Sequence, residues 1–243
     1  KSITLEKIAG TGVGNLVGVD GVSNGTITIN GLNINGVTGY AIQNIDAGTI
    51  NISNGKIAVS DTTAVRIDNG AINLSNVAIT GVTSKEVSKN LYNGVTSLGG
   101  SLTLKDVTFQ NMLGRGISND GAKITGTNVV VNGVDGGAVV TLKGTTNITK
   151  LTTSNAKGYN VDVRGGSAKF TDSTLNMGGT TSVRIKDGTL EFEKVLVNGA
   201  PQVAEGDGTI NKYNGITASG GNLRLKDVTI QNIAGRGLNA EGS

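Results

Sequence analysis

The stretch Leu102–Gly121, LTLKDVTFQNMLGRGISNDG, returns 121 positions later as Leu223–Gly242, LRLKDVTIQNIAGRGLNAEG, with twelve of twenty positions identical. The Lys-Asp, Gln-Asn and Gly-Arg-Gly groups all come back in register. An echo at a fixed period marks a chain built by stacking copies of one structural unit. Shorter periods lie inside the long one. Gly followed by an apolar alternation recurs at Gly25, Gly48, Gly70, Gly100, Gly121, Gly144, Gly166, Gly188 and Gly221. Most intervals are about 22 residues, and two are longer, in the fourth and ninth units. About ten units are expected, with insertions at 83–98 and 201–219.

Within the fifth unit, Leu102 and Leu104 alternate with Thr103, and Val107 and Phe109 with Thr108, so each pair reads as a strand with one apolar face. Lys105-Asp106 is a tight polar corner between them, and a third short strand follows near Ile117. The same plan fits Ile27/Ile29/Leu32/Ile34, Ile72/Leu74/Val77/Ile79 and Leu190/Phe192/Val195/Val197. It is weaker at Ile148/Leu151 and Phe170/Leu175, whose partner positions carry Thr, Ala or Ser. No window holds a helical period. Three short strands in 22 residues cannot close a core alone. They can when each unit is one turn of a coil, with apolar columns inside and Gly or Asn taking positive φ at the corners. Asn111 and Asn232 stand at equivalent corners and are expected to stack there.

Composition supports this reading. Only seven of 243 residues are aromatic, against 39 glycines and one proline, which suits many brief β-branched strands better than a bulky globular core. Cysteine and histidine are absent, so there is no disulfide and no imidazole base or metal ligand. The +3 charge is small and scattered, which argues against a nucleic-acid partner. No apolar run reaches membrane-spanning length, so no direct membrane insertion is expected of this segment. Strand-like sequence runs to both ends without a polar cap, and the segment is expected to belong to a longer polypeptide.

The pattern V-T-[FI]-Q-N-x-x-G-R-G-[IL], at 107–117 and again at 228–238, resembles the repeat of right-handed parallel β-helices. That superfamily includes the pectate lyase-like enzymes and, closest in pattern, bacterial autotransporter and adhesin passenger domains. The resemblance implies an all-β, right-handed parallel β-helix and says little about activity, since one scaffold hosts many.

Catalysis finds little to work with. Arg184-Ile185-Lys186 is similar to a substrate-holding tripeptide of polygalacturonases, but the NTD, DD and GHG groups that accompany it there are missing. Val65-Arg66-Ile67-Asp68 occupies the same position one block earlier, so the tripeptide reads as a coil strand with solvated charges. Glycoside hydrolysis needs two facing carboxyls about 5–9.5 Å apart. The nearest candidates, Asp162 with Asp187 and Glu191 with Glu193, read as surface charge. Asp20, Asp61, Asp68, Asp106 and Asp135 are isolated, too sparse for a calcium site. The glycines at 10–14 precede no phosphate-binding Lys. No catalytic residue, metal or cofactor is expected.

Binding is the better expectation. Tyr92-Asn93-Gly94 and Tyr213-Asn214-Gly215 recur 121 apart beside the insertions, with Arg115 and Arg236 one turn on. These six residues, Tyr92, Asn93, Arg115, Tyr213, Asn214 and Arg236, are the candidate contacts. The expected partners are a host glycan, a matrix protein or other copies of the chain, met outside a bacterial cell. The alternatives are a self-assembling extracellular filament or surface layer, and a polysaccharide lyase or hydrolase.

Overall fold

The computed structural model describes residues 2–11, 19–20, 23–37, 39–59, 62–81, 92–199 and 213–241. Asp61, residues 12–14 of the glycine-rich stretch, and 83–91 and 201–212 of the insertions lie outside them.

Regular structure among the described residues is strand alone, and the 21 strands join one hydrogen-bonded sheet of parallel pairings. Following one register position shows why. Ile3 pairs with Ile27, then Ile50, Ile72, Leu102, Ile124, Thr146, Ala168, Leu190 and Leu223. Nine such steps lift the chain through about nine turns of a parallel β-solenoid, one fewer than the ten units counted, because ten rungs enclose nine intervals. Adjacent rungs of a sheet lie about 4.8 Å apart.

Each rung carries three strands. In the fifth, Ser101–Gln110 supplies the first two, turning at Asp106, and the start of Ile117–Asn132 supplies the third. The alternation of the sequence becomes inward columns: Ile52, Leu74 and Leu104 on the first strand, Ile57, Ile79 and Phe109 on the second, Val65, Val95 and Ile117 on the third, all buried. Phe170 and Phe192 meet edge to face at 5.8 Å and 71°. Such a pair is worth about 0.5–1.5 kcal/mol beyond the area it buries.

Corners are where the coil constrains sequence most. Asn54, Asn76, Asp106, Asn128, Lys150, Asp172, Lys194 and Asp227 all take positive φ near 50° between the first and second strands. Asn and Asp tolerate this conformation, and here they also climb the coil: Asn76 Nδ2 donates to Asn54 Oδ1, and Asn54 Nδ2 to Asn30 Oδ1, each at 2.7 Å. The expected stacking at the next corner is present at Asn232, whose amide donates to Asn198 Oδ1 at 2.8 Å. Before each first strand the demand is stricter. Gly166 has φ 68°, and a Cβ there would stand 2.4 Å from the Gly144 carbonyl of the rung below.

Three expectations need correction. Residues 95–97, placed in the first insertion, form the third strand Val95–Ser97 of the fourth rung, and Ile216–Ala218 does the same in the ninth. Their alternation was hidden by the adjoining Tyr-Asn-Gly, which reads as loop. Leu225 lies in register with buried Phe192 yet is 38 % exposed, because no described rung covers the tenth. The interior is also not wholly apolar. Asn44, Ser97, Asn119 and Thr141 stand in one inward column, shared with Ile67, Val163 and Ile185, and all are buried. Asn119 Nδ2 donates to the Ala122 and Thr145 carbonyls and to Thr146 Oγ1, while its Oδ1 accepts from the Ala122 N–H and the Ser97 hydroxyl. That partner is why a Thr at 146 is tolerated where the other rungs, Ala168 apart, carry Ile or Leu.

Substituting Gly166→Ala should destabilise the coil by about 2–4 kcal/mol, combining the left-handed penalty with the clash against the rung below. Thermal unfolding followed by circular dichroism checks this; an unchanged midpoint would contradict the packing described.

Candidate binding site

The third strand and the bend before it build one face of the coil. Successive rungs place Tyr40, Thr63, Asn93, Arg115, Gly137, Tyr159, Thr181, Asn214 and Arg236 at the bend, linked by backbone hydrogen bonds or by threonine hydroxyls accepting from the next rung. The outward positions of the strand that follows are Gln43, Arg66, Thr96, Ser118, Val140, Asp162, Arg184, Thr217 and Asn239.

The six residues singled out from the sequence fall into two equivalent clusters on this face, five rungs apart. Asn93 Oδ1 accepts the Arg115 backbone N–H at 2.8 Å and its amide donates to Thr96 Oγ1 at 2.9 Å. Asn214 repeats both bonds, with Arg236 at 2.9 Å and Thr217 at 3.1 Å. The Tyr92 and Tyr213 carbonyls accept from Gly114 and Gly235 of the next rung. Each asparagine therefore clamps two rungs of the coil. Tyr92 and Tyr213 themselves are partly exposed. Arg115 Nη1 donates to Ser118 Oγ at 2.9 Å, and Arg236 Nη1 to Asn239 Oδ1 at 2.5 Å.

A second repeated pair was not legible as such in the sequence. Arg184 lies over the Tyr159 ring, 4.1 Å from its centroid, and donates to its hydroxyl; Arg66 does the same with Tyr40 at 5.3 Å. The recurrence of Arg66 at Arg184 was visible, but the tyrosines lie a rung away and were not connected to them. Nor is Arg184 a solvated charge. Its Nε and Nη2 grip both oxygens of Asp162 at 2.9 and 2.7 Å, and Arg164 Nε shares Oδ2 at 2.7 Å. Asp162 is 1 % exposed although it points out of the coil, because these arginines cover it. Its bond to Arg184 holds the guanidinium further toward the charged form, and at Arg66 the bond from Asp68 acts likewise. Arg115 goes the other way: burial first, then the nearby Arg164 charge, lowers its pKa.

The carboxylates weighed for catalysis do not assemble. Asp187 caps the Gly188 N–H at an exposed corner. Glu191 pairs with Arg224 at 2.9 Å, and Glu193 with Lys226 at 2.6 Å, with Lys169 approaching both. The bond to Lys226 pulls the Glu193 carboxyl below its usual range. Both glutamates thus serve a charge ladder between rungs.

Asp162→Asn leaves Arg184 and Arg164 without their shared carboxylate. Chemical denaturation should show a loss of roughly 2–3 kcal/mol, less than the 3–5 of a fully buried pair because Arg184 keeps some solvent; no loss would contradict the arrangement. Comparison with family models, curated proteins and solved structures finds no match to this chain.

Proposed function

We propose that this chain is a non-catalytic binding rod, the stalk or passenger section of a bacterial surface adhesin, working outside the cell. The observation that carries the reading is the repetition of the Tyr-Asn-Arg cluster in the same register of the same face. Five rungs at about 4.8 Å separate the two copies by roughly 24 Å along the axis. A scaffold that sets equivalent rings at a fixed spacing suits a partner with its own repeat, such as a host glycan or a matrix protein. Joint engagement multiplies affinity without any new contact.

A lyase or hydrolase is the weaker alternative. Glu191 and Glu193, the pair weighed for catalysis, are occupied by Lys and Arg partners, and Arg184 of the RIK tripeptide is held by Asp162 and Tyr159. Association of copies into a filament remains a separate proposal, for which the same face offers no specific observation.

The test is binding to glycan arrays and immobilised matrix proteins by Tyr92→Ala, Tyr213→Ala and the double variant. Loss of one ring should lower apparent affinity about 10–100-fold through lost avidity, and loss of both should abolish binding. A double variant that binds like the parent would defeat the reading.

A further inference from the structure

Beside the first repeated cluster the same face holds a hollow, bordered by Asn93 and Arg115 of that cluster. At the sixth rung the bend residue is Gly137, where neighbouring rungs carry Arg115 and Tyr159. The missing side chain leaves a cavity of about 430 Å³, walled by Arg115 on one side and by Tyr159, Asp162 and Arg164 on the other, with Val140 in its floor. That volume lies within the range of small-ligand pockets, roughly 300–1,000 Å³.

Its electrostatics are unbalanced. Three guanidinium groups, Arg115, Arg164 and Arg184, gather near the carboxylate of Asp162, and Asp120 is the other carboxylate that acts on Arg115. Arg184 takes both oxygens of Asp162 and Arg164 Nε takes a second bond on Oδ2, so Asp162 has little left to offer Arg115. Arg115 is partly buried, and among the described residues its side chain is bonded only to the neutral Ser118 hydroxyl; burial and then Arg164 work against its charge more than Asp162 and Asp120 support it. Among the described residues, the terminal nitrogens of Arg164 make no hydrogen bond. A cation held out of water beside another cation is unfavourable until an anion joins them.

We propose that this hollow binds a small organic acid, its carboxylate held between Arg115 and Arg164 and its carbon body lying on Val140 and the edge of Tyr159. A guanidinium fork matches the two coplanar oxygens of a carboxylate. Tyr159 and the glycine backbone of the lining, with Val140 1 % exposed beneath them, favour an acid with a carbon body over an inorganic oxyanion. The site goes beyond the binding-rod reading: it shares Asn93 and Arg115 with the first cluster but uses neither Tyr92 nor Tyr213, so the tyrosine variants and the Arg164 variant separate the two readings.

The test is titration of the full chain with benzoate, benzamide and sulfate, followed by NMR and calorimetry. Benzoate should bind saturably at millimolar concentration, with the uncharged benzamide and the body-less sulfate each at least about tenfold weaker, equivalent to about 1.4 kcal/mol. Arg115→Gln and Arg164→Gln should each weaken benzoate about tenfold, a range typical of a lost charge-assisted bond. Arg164 is exposed enough that its variant keeps the fold, which circular dichroism verifies. Gly137→Ser, which places a side chain in the hollow, should block benzoate as well. No saturable binding of benzoate, equal binding of benzamide or sulfate, or benzoate binding indifferent to both arginine variants would each overturn the proposal.

Discussion

In-register hydrogen bonding between one rung and the next is the constraint on which the rest of this molecule depends. A parallel ladder leaves no freedom to slip, because a shift of one residue would turn each inward column to solvent. Once the register is set, residues about 22 apart become neighbours and share one environment. Ile stacks on Ile, Asn bonds to Asn, and glycine recurs wherever a carbonyl of the rung below comes close. The small number of aromatic residues is no handicap in such a core, since each rung needs to fill only a thin slice between its neighbours.

The same constraint sorts where the chain can vary. Inward positions and corners answer to the rungs above and below. Outward positions answer to each other along the axis, and there ladders form from charge or from amides. Glu191 and Glu193 between Lys169 and Arg224 or Lys226 illustrate one kind, Asn73 donating to Asn51 the other. The face formed by the third strand differs because the bend before it mixes rings, guanidiniums and a gap at Gly137. Asp162 is buried there without belonging to the core, and Arg184 and Tyr159 form a lid over it.

Much of the coil was readable from the alternation itself. Leu102, Leu104, Val107 and Phe109 face inward as their spacing requires, and the corner asparagines take the conformation their residue type allows. What escaped reading has physical causes. Thr146 looks like a weak core position until Asn119, 27 residues away, supplies its hydrogen bond. Val95–Ser97 resembled a loop because Gly94, which keeps the bend clear of Phe109 in the next rung, also makes the segment look irregular. For the binding face, the repeated Tyr-Asn and Arg residues were visible. The clamping role of Asn93 and Asn214 was not, nor was the hollow at Gly137, because both exist only between rungs.

The central claim is that chain positions far apart in sequence are stacked at a fixed axial rise. Thr103 and Arg224 share one outward column, five rungs apart. Spin labels at these two positions, measured by pulsed dipolar spectroscopy, should give a single narrow distance centred near roughly 24 Å, allowing for the label arms. A broad distribution, or a mean well above that value, would contradict an in-register coil.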